Sequence, residues 1–313
     1  MKKSIAPLGL YVFLFIACIP LPGCIHRKQI DRQKLHITLP TKNEPPPLTK
    51  APDVTIWVHG TLIFRKPMYH YIFNDTSSLV PITSLPTDHH FYILANTIAE
   101  RDPEHFPLQE FYIFSWSGQL KNQERINAAH KLHDEIIALA KHYQEKYGCE
   151  PTIRIIAHSH GGNVVLNMAH IKNPLHPFRI KALILLACPV QDKTMHLIST
   201  PMFQRVYSLY SSLDMIQIIA PQFERIKTKN GRRKKQYNIL PFSSRTFPIY
   251  SHLTQSKIKI NDFPISHTRF STNEFAAMLP AVLQKLESWH AQTLAANKIA
   301  KHKLLCIYKD KNC

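Results

Sequence analysis

The most informative segment of this 313-residue chain is Thr152-Ile-Arg-Ile-Ile-Ala-His-Ser-His-Gly-Gly162. Its first part, Ile153–Ile156, is short and rich in β-branched residues, which predicts a buried strand. The residues after the two glycines are apolar at helical spacing, which predicts a helix. Ser159 is therefore expected to lie on a tight turn between a strand and a helix. Such a turn exposes the serine hydroxyl, and the helix N-terminus stabilises the negative charge that develops during nucleophilic attack.

A second segment upstream accompanies this turn. The apolar run Val54-Thr-Ile-Trp-Val58 is followed by His59-Gly60-Thr61, and the two segments together resemble the α/β-hydrolases, in particular bacterial lipases and esterases. The resemblance spans Asp53 to Trp289. In the usual serine motif, G-x-S-x-G, the first glycine is replaced here by Ala157, another small residue. The resemblance implies an α/β fold with a mostly parallel central sheet and helices on both faces.

The resemblance also implies an oxyanion hole, which is a pair of backbone N–H groups that stabilises the tetrahedral intermediate. Its donors would be the N–H of His160 and the N–H of Thr61, with Leu62 as the alternative to Thr61. Loss of one such donor typically raises the reaction barrier by about 2.7 to 4 kcal/mol.

A serine hydroxyl needs a histidine to remove its proton and a carboxylate to orient that histidine. In α/β-hydrolases the acid follows the serine along the chain, and the histidine follows the acid. Asp214 ends the strand-like stretch Val206–Leu213, and Asp192 is the alternative acid. His267 follows a second strand-like stretch, and His252 is the alternative base. The resemblance implies that Asp214 and His267 complete a triad with the serine.

Periodicity predicts further elements of the same domain. The extended stretch Phe111–Ser115 precedes Asn122–Tyr147, whose apolar residues recur every three or four positions and predict a long amphipathic helix. Gly148 is expected to end this helix. Trp116 is expected either to border the active site or simply to be packed in the core. Strands that alternate with helices indicate a mostly parallel sheet, and residues 52–296 are predicted to form one α/β-hydrolase domain.

The N-terminus predicts export from the cytoplasm. Two lysines precede an apolar stretch that Leu21-Pro-Gly-Cys24 closes, so residues 1–23 match a secretory signal. The closing residues resemble the lipobox of bacterial lipoproteins, which implies that Cys24 is acylated; simple secretion and an uncleaved anchor are the alternatives. Residues 24–51 are polar and contain several prolines, which is typical of a flexible tether. We therefore expect a lipoprotein that is anchored to a membrane of the cell envelope.

The chain is strongly basic, with 39 Lys and Arg against 21 Asp and Glu and a net charge of +18. Part of the excess lies in Glu224–Lys235, where seven basic residues surround an Asn-Gly pair that is typical of a hairpin tip. Such a loop can contact anionic lipid headgroups or nucleic acid, and a merely solvated loop is the plainest alternative. Because no nucleic-acid motif accompanies it, we rank lipid contact above nucleic acid. Residues 297–313 are predicted to be a basic C-terminal tail.

The segment Ile63–His90 is rich in apolar and aromatic residues, so it needs a surface to cover. A long loop of this composition is too apolar to be expected to remain disordered. It is expected to form either a lid or acyl-pocket wall, or a small satellite core on the edge of the sheet.

Cysteine usage is compatible with export. Cys306 and Cys313 are close enough in sequence for a disulfide, Cys149 has no evident partner, and Cys188 lies in an apolar run that predicts a buried thiol. No metal-ligand spacing stands out among the histidines, and we predict neither a metal site nor a cofactor. The oligomeric state is not predicted.

The function that this resemblance implies is hydrolysis of carboxylic esters, of lipids or other acyl compounds, through an acyl-enzyme intermediate. Two alternatives remain open at this point. The same triad serves thioesterases, amidases and acyltransferases, because the fold does not set the leaving group. The other alternative is a lipoprotein that binds a lipid or a partner without catalysis.

Overall fold

The computed structural model describes residues 51–61, 77–171, 178–219, 224–227, 233–236, 243–295 and 303–308, with the backbone alone for 224–227, 233–236 and 293–295. The chain divides into two units, residues 1–43 and 44–313, and all described residues belong to the second. The predicted signal, the tether up to residue 50 and the acylation site Cys24 lie outside the described residues. So do residues 62–76 and Cys313.

The described strands are β1 (Asp53–Val58), β2 (Ser78–Pro81), β3 (Phe111–Ser115), β4 (Thr152–His158), β5 (Ile180–Leu186), β6 (Val206–Tyr210), β7 (Glu224–Lys227), β8 (Arg233–Gln236), β9 (Leu253–Ile260), β10 (Phe263–Pro264) and β11 (Lys303–Ile307). The described helices are α1 (His90–Arg101), α2 (Asn122–Tyr147), α3 (His160–Asn167), α4 (Ile216–Ile219) and α5 (Asn273–Ala295).

Nine of the described strands form one sheet in the order β10-β9-β6-β5-β4-β1-β3-β2, with β11 also paired to β9. The pairs from β3 to β9 are parallel, whereas β2 and β10 run antiparallel at the edges. Strands β7 and β8 form a separate antiparallel pair. The predicted fold class, an α/β fold with a mostly parallel central sheet, is confirmed.

Both faces of the sheet are buried under helices. Residues of α2 and α3 form one core cluster with Ile155 and Ala157 of β4, while α1 and α5 form the other with Ile156. Because successive side chains of a strand point to opposite faces, a β-branched run such as β4 serves both clusters at once. This explains why the strand that leads to Ser159 has apolar residues on both of its faces.

Helix α2 begins and ends at the predicted residues, and this prediction is confirmed. It ends because Gly148 adopts a left-handed conformation (φ 73°), and its N–H donates to the Gln144 carbonyl. A residue with a Cβ adopts this conformation at a cost, which makes glycine the usual terminator.

The structure corrects the C-terminal boundary of the domain. Part of the predicted basic tail, Lys303–Ile307, is a strand that pairs in parallel with β9. The apolar residues of this short strand extend the sheet edge, a pairing that the flanking lysines obscured in the sequence. Within the apolar segment Ile63–His90, the described part forms β2 and buries Ile82 and Leu85 in the core. None of the helices in the described part of the chain combines the length and apolar character needed to cross a bilayer.

Candidate active site

Ser159 occupies the turn between β4, which ends at His158, and α3, which begins at His160. Its backbone has φ 53° and ψ −132°, a region that a residue with a side chain rarely adopts. Two hydrogen bonds hold it there: the Ser159 N–H donates to the Leu186 carbonyl at 2.8 Å, and the Gly162 N–H donates to the Ser159 carbonyl at 3.0 Å. Strain of this kind persists only where the surroundings impose it, and such places are often functional.

The serine turn packs directly against the turn after β1. A Cβ atom placed on Gly161 would lie 2.5 Å from the carbonyl oxygens of Val58 and His59. One placed on Gly60 would lie 2.7 Å from the Cβ of Ser159. The two glycines are therefore required for close approach, and that approach brings the predicted oxyanion segment beside the serine.

The structure brings Ser159, His267 and Asp214 into one hydrogen-bonded line. The His267 Nε2 atom lies 2.9 Å from the Ser159 Oγ, and its Nδ1 lies 2.7 Å from the Asp214 Oδ2. All three side chains are buried. His267 begins a short 3₁₀ helix, His267–Ser271, that follows β10 at the sheet edge.

The two alternatives from the sequence lie elsewhere. Asp192 is exposed, and His252 directs its Nε2 to the Ile198 carbonyl at 2.8 Å. The hydrogen bonds of His267 thus favour Asp214 as the partner acid.

The loop that carries Asp214 is held from two sides. The second carboxylate oxygen, Oδ1, accepts the Gln217 N–H at 2.9 Å, and the Gln217 side-chain amide donates to the Cys188 carbonyl at 2.6 Å. From the other side, Arg245 donates to the carbonyls of Asp214 (3.0 Å) and Ser212 (3.1 Å). Sequence reasoning missed both braces, because they join segments that are distant in the chain.

A further set of hydrogen bonds orients the turn after β1. The Trp116 N–H donates to His59 Nε2 at 3.2 Å, so this nitrogen is unprotonated and the proton lies on Nδ1, which donates to the Gly60 carbonyl at 2.7 Å. Burial lowers the pKa of His59 to about 4, which keeps the ring neutral. The indole of Trp116 stacks on this ring and donates to the His59 carbonyl at 2.8 Å. Trp116 is thus a packed residue that also supports the site.

This brace bears on the predicted oxyanion donor. The C=O and N–H groups of a trans peptide point in opposite directions, so the Thr61 N–H points away from the His59 ring that holds the Gly60 carbonyl. The Thr61 hydroxyl is buried and has no hydrogen-bond partner among the described residues. Leu62, the alternative donor, lies outside them.

The histidines on either side of Ser159 are neutral for related reasons. The pKa of His158 is lowered to about 3, first by desolvation and then by His267, although part of the side chain remains exposed. Its Nε2 donates to the His267 carbonyl at 3.2 Å. The pKa of His160 is also lowered to about 3, first by burial and then by the Arg125 guanidinium. Within the described residues, no group of three His, Cys, Asp or Glu side chains is arranged to hold a metal ion.

Comparisons with known proteins give structural matches of low identity only. No family model matches the chain, and no curated protein does either. Among solved structures, an esterase named PE8 is 13% identical over 55% of this chain and 74% of its own, with a TM-score of 0.30. A lipase-esterase related protein from Clostridium acetobutylicum is 15% identical over 49% of this chain and 50% of its own, with a TM-score of 0.25.

A phospholipase, PlaB from Legionella pneumophila, is 14% identical over 52% of this chain and 39% of its own, with a TM-score of 0.30. The chain therefore spans half or less of the length of the last two proteins. These three solved structures are an esterase, a lipase-esterase related protein and a phospholipase, and this chain is similar to each of them at low identity.

Proposed function

We propose that this protein is a serine hydrolase that cleaves carboxylic esters, of lipids or other acyl compounds, through an acyl-enzyme intermediate. One observation carries the proposal: His267 is within hydrogen-bond distance of Ser159 on one ring nitrogen and of Asp214 on the other. A neutral imidazole held in this way accepts a proton on one side while the carboxylate fixes its tautomer from the other.

In the first half of the reaction, the Ser159 Oγ attacks the ester carbonyl while His267 Nε2 takes the hydroxyl proton. The resulting oxyanion accepts hydrogen bonds from the backbone N–H groups of Thr61 and His160. The carbon–oxygen bond to the leaving alcohol then breaks, and His267 returns the proton to that alcohol. The acyl group remains on Ser159 as an ester.

In the second half, a water molecule replaces the alcohol. His267 removes one of its protons as the oxygen attacks the acyl carbon, and the same two N–H groups stabilise the second oxyanion. The bond to Ser159 breaks, and His267 returns the proton to the serine oxygen. The carboxylic acid is released and the site is restored.

We also propose that the enzyme is exported and acylated on Cys24, with residues 24–51 as a tether to a membrane of the cell envelope. The N-terminal sequence supports this location through its apolar stretch and its lipobox-like ending. Mass spectrometry of the mature N-terminus tests it, because acylation adds a lipid mass to Cys24 that a Cys24→Ser variant lacks. An unmodified mature N-terminus beyond this residue would contradict it.

The catalytic proposal is tested by labelling the purified protein with a fluorophosphonate and by measuring hydrolysis of esters of graded acyl length. We expect Ser159→Ala to abolish labelling and Asp214→Asn to lower kcat by about 10⁴-fold, because the imidazole loses its correct tautomer. The matched controls, Ser199→Ala and Asp192→Asn, alter exposed side chains and should leave both readouts unchanged.

The outcomes separate the proposal from its alternatives. Labelling at Ser159 with turnover of thioesters or amides instead of esters would change the substrate class and keep the triad. Absence of labelling in a folded wild-type protein, judged by circular dichroism, would overturn catalysis and favour a binding lipoprotein.

A further inference from the structure

In the segment that carries Asp214, polar residues are buried and apolar residues are exposed, which is the reverse of an ordinary protein surface. Its polar members Asp214 and Gln217 are buried, with 1% and 0% of their surface exposed. Its apolar members face solvent instead: Leu213 (56% exposed), Met215 (54%), Ile216 (47%) and Ile219 (57%). Single exposed apolar residues are common, but a cluster within seven positions marks an interaction surface.

The same hydrogen bonds that hold the acid loop keep these side chains outside. Asp214 points inward to His267 and to the Gln217 N–H, while Gln217 points inward to the Cys188 carbonyl. A rotation of the segment that buried the isoleucines would take Asp214 away from His267. The exposed apolar cluster is therefore a fixed feature of the active form.

A basic ribbon, formed by strands β7 and β8, follows this cluster in the chain. Helix α4 ends at Ile219, and the chain returns at Ser243, whose N–H donates to the Ile218 carbonyl at 2.9 Å. The excursion between these points contains the antiparallel strands β7 and β8. The two ends of this excursion are thus joined beside the apolar residues.

The register of the ribbon places basic residues opposite one another. Arg225 is paired with Lys235, and Lys227 is paired with Arg233. Residues directly opposite in an antiparallel pair share a face of the ribbon, as do positions two apart along one strand. These four basic residues therefore occupy one face, which is free of acidic residues in the described strands.

We propose that Leu213, Met215, Ile216 and Ile219, together with the basic face of the β7–β8 ribbon, form a surface that docks on an anionic lipid bilayer. Cations beside an anionic bilayer bind its headgroups, and apolar side chains next to them insert at the boundary with the acyl chains. Nucleic acid would pair with the basic residues through its phosphates but would leave the four apolar side chains exposed to water. The combination favours the bilayer.

Docking has a consequence for the substrate, and that consequence rests on the proposed function. The apolar residues of the docking surface flank the buried Asp214 in the chain, and parallel strands β4 and β6 present Ser159 and the acid loop at the same edge of the sheet. Contact through this surface turns that edge toward the membrane. Acyl esters of membrane lipids are then the substrates delivered to the serine.

The test measures binding of the full chain, with Cys24→Ser in every sample to prevent acylation there, to vesicles of phosphatidylcholine alone and of equal parts phosphatidylcholine and phosphatidylglycerol. One variant, Arg233→Gln/Lys235→Gln, removes two charges from the ribbon, and its matched control, Lys131→Gln/Lys141→Gln, removes two exposed charges from α2. A second variant, Ile216→Ser/Ile219→Ser, removes apolar surface, and its control is Phe263→Ser/Leu304→Ser, two exposed apolar residues elsewhere.

We expect the ribbon variant to lose affinity for the anionic vesicles by about fivefold per charge, and to lose less as salt is raised. The isoleucine variant should bind both kinds of vesicle more weakly, and the two controls should behave as the parent chain does. Equal vesicle binding by all variants would overturn the proposal. So would a charge-dependent affinity for single-stranded RNA that the isoleucine variant retains in full, since nucleic acid would then be the partner.

A soluble short-chain ester separates this proposal from the catalytic one. All four double variants should hydrolyse it at the parent rate, since none alters a residue of the triad. Vesicle binding with no ester turnover in the parent would overturn the catalytic proposal alone. Normal turnover with unchanged vesicle binding in the variants would overturn the docking proposal alone.

Discussion

His59 has the clearest supporting role among single residues of the candidate site. It holds the Gly60 carbonyl through Nδ1, while Trp116 fixes the ring from the other side. The ring is neutral because burial lowers its pKa, so it can accept from Trp116 on one nitrogen and donate from the other. We therefore regard His59 as a positioning residue for the peptide between Gly60 and Thr61.

The first prediction concerns this residue. His59→Phe keeps an aromatic ring beside Trp116 but removes the hydrogen bond to Gly60, so the Thr61 N–H is no longer held in place. We expect kcat for a soluble ester to fall, by up to about 10²-fold, with little change in KM. Steady-state kinetics with the purified variant measure both constants.

A rescue variant tests whether the effect is positional. The amide of His59→Asn can donate in place of Nδ1 and should restore part of the lost kcat. Thermal melting of both variants shows whether the fold is intact. A change confined to KM, or equal losses of kcat in the two variants, would argue against the positioning role.

At the scale of elements, the site depends on how closely the β4–α3 turn approaches the end of β1. Gly161 faces two backbone carbonyls, and backbone cannot move aside as a flexible side chain can. The approach therefore couples the stability of the sheet to the geometry around Ser159. Helix α2, in contrast, ends at a glycine with open space around it.

The second prediction follows from this contrast. Gly161→Ala places a methyl group where only about 2.5 Å is available, and overpacking of this kind typically costs about 1–3 kcal/mol. We expect a lower free energy of unfolding and lower ester turnover. Gly148→Asn is the matched control, because asparagine tolerates the left-handed conformation and meets no neighbour. Urea unfolding that shows equal losses in the two variants would contradict the steric explanation.

At the scale of the whole molecule, buried neutral histidines make the fold sensitive to acid. Burial lowers the pKa of His59 to about 4 and that of His160 to about 3, whereas a histidine in the unfolded chain has a pKa of about 6.5. Between these values the unfolded chain binds protons that the folded chain does not bind. The free energy of unfolding is therefore greatest above the unfolded pKa and falls as the pH decreases toward the folded values.

The third prediction is a pH dependence of stability. Each such histidine contributes a slope of up to about 1.4 kcal/mol per pH unit in this window. Urea unfolding between about pH 7 and about pH 5 should show a lower free energy at the acidic end, and His160→Asn should reduce the slope. The slope is the readout because a packing defect lowers stability equally at both ends. His130→Asn, at an exposed position, is the control, and an equal change of slope there would refute the assignment.

Local sequence patterns were sufficient for several features. The turn at Ser159, the extent of α2 and the strand–helix alternation depend on neighbours within a few residues, through periodicity and turn chemistry. The C-terminal strand β11 was not predicted, because its stability comes from pairing with β9, about 47 positions earlier in the chain. A short apolar run between lysines carries no local sign of such a partner.

The sequence by itself determined which residues could act as nucleophile, acid and base, and the order in which they occur. It left Asp192 as an alternative acid to Asp214 and His252 as an alternative base to His267. Only the tertiary structure brings Asp214 and His267 together with Ser159, since the hydrogen bonds of His267 span 53 positions to Asp214 and 108 positions to Ser159. It also decided that Trp116 braces His59 and that the apolar residues around Asp214 face outward. The physical reason is that these contacts form where distant strands end at one edge of the sheet, and local periodicity carries no information about which ends meet.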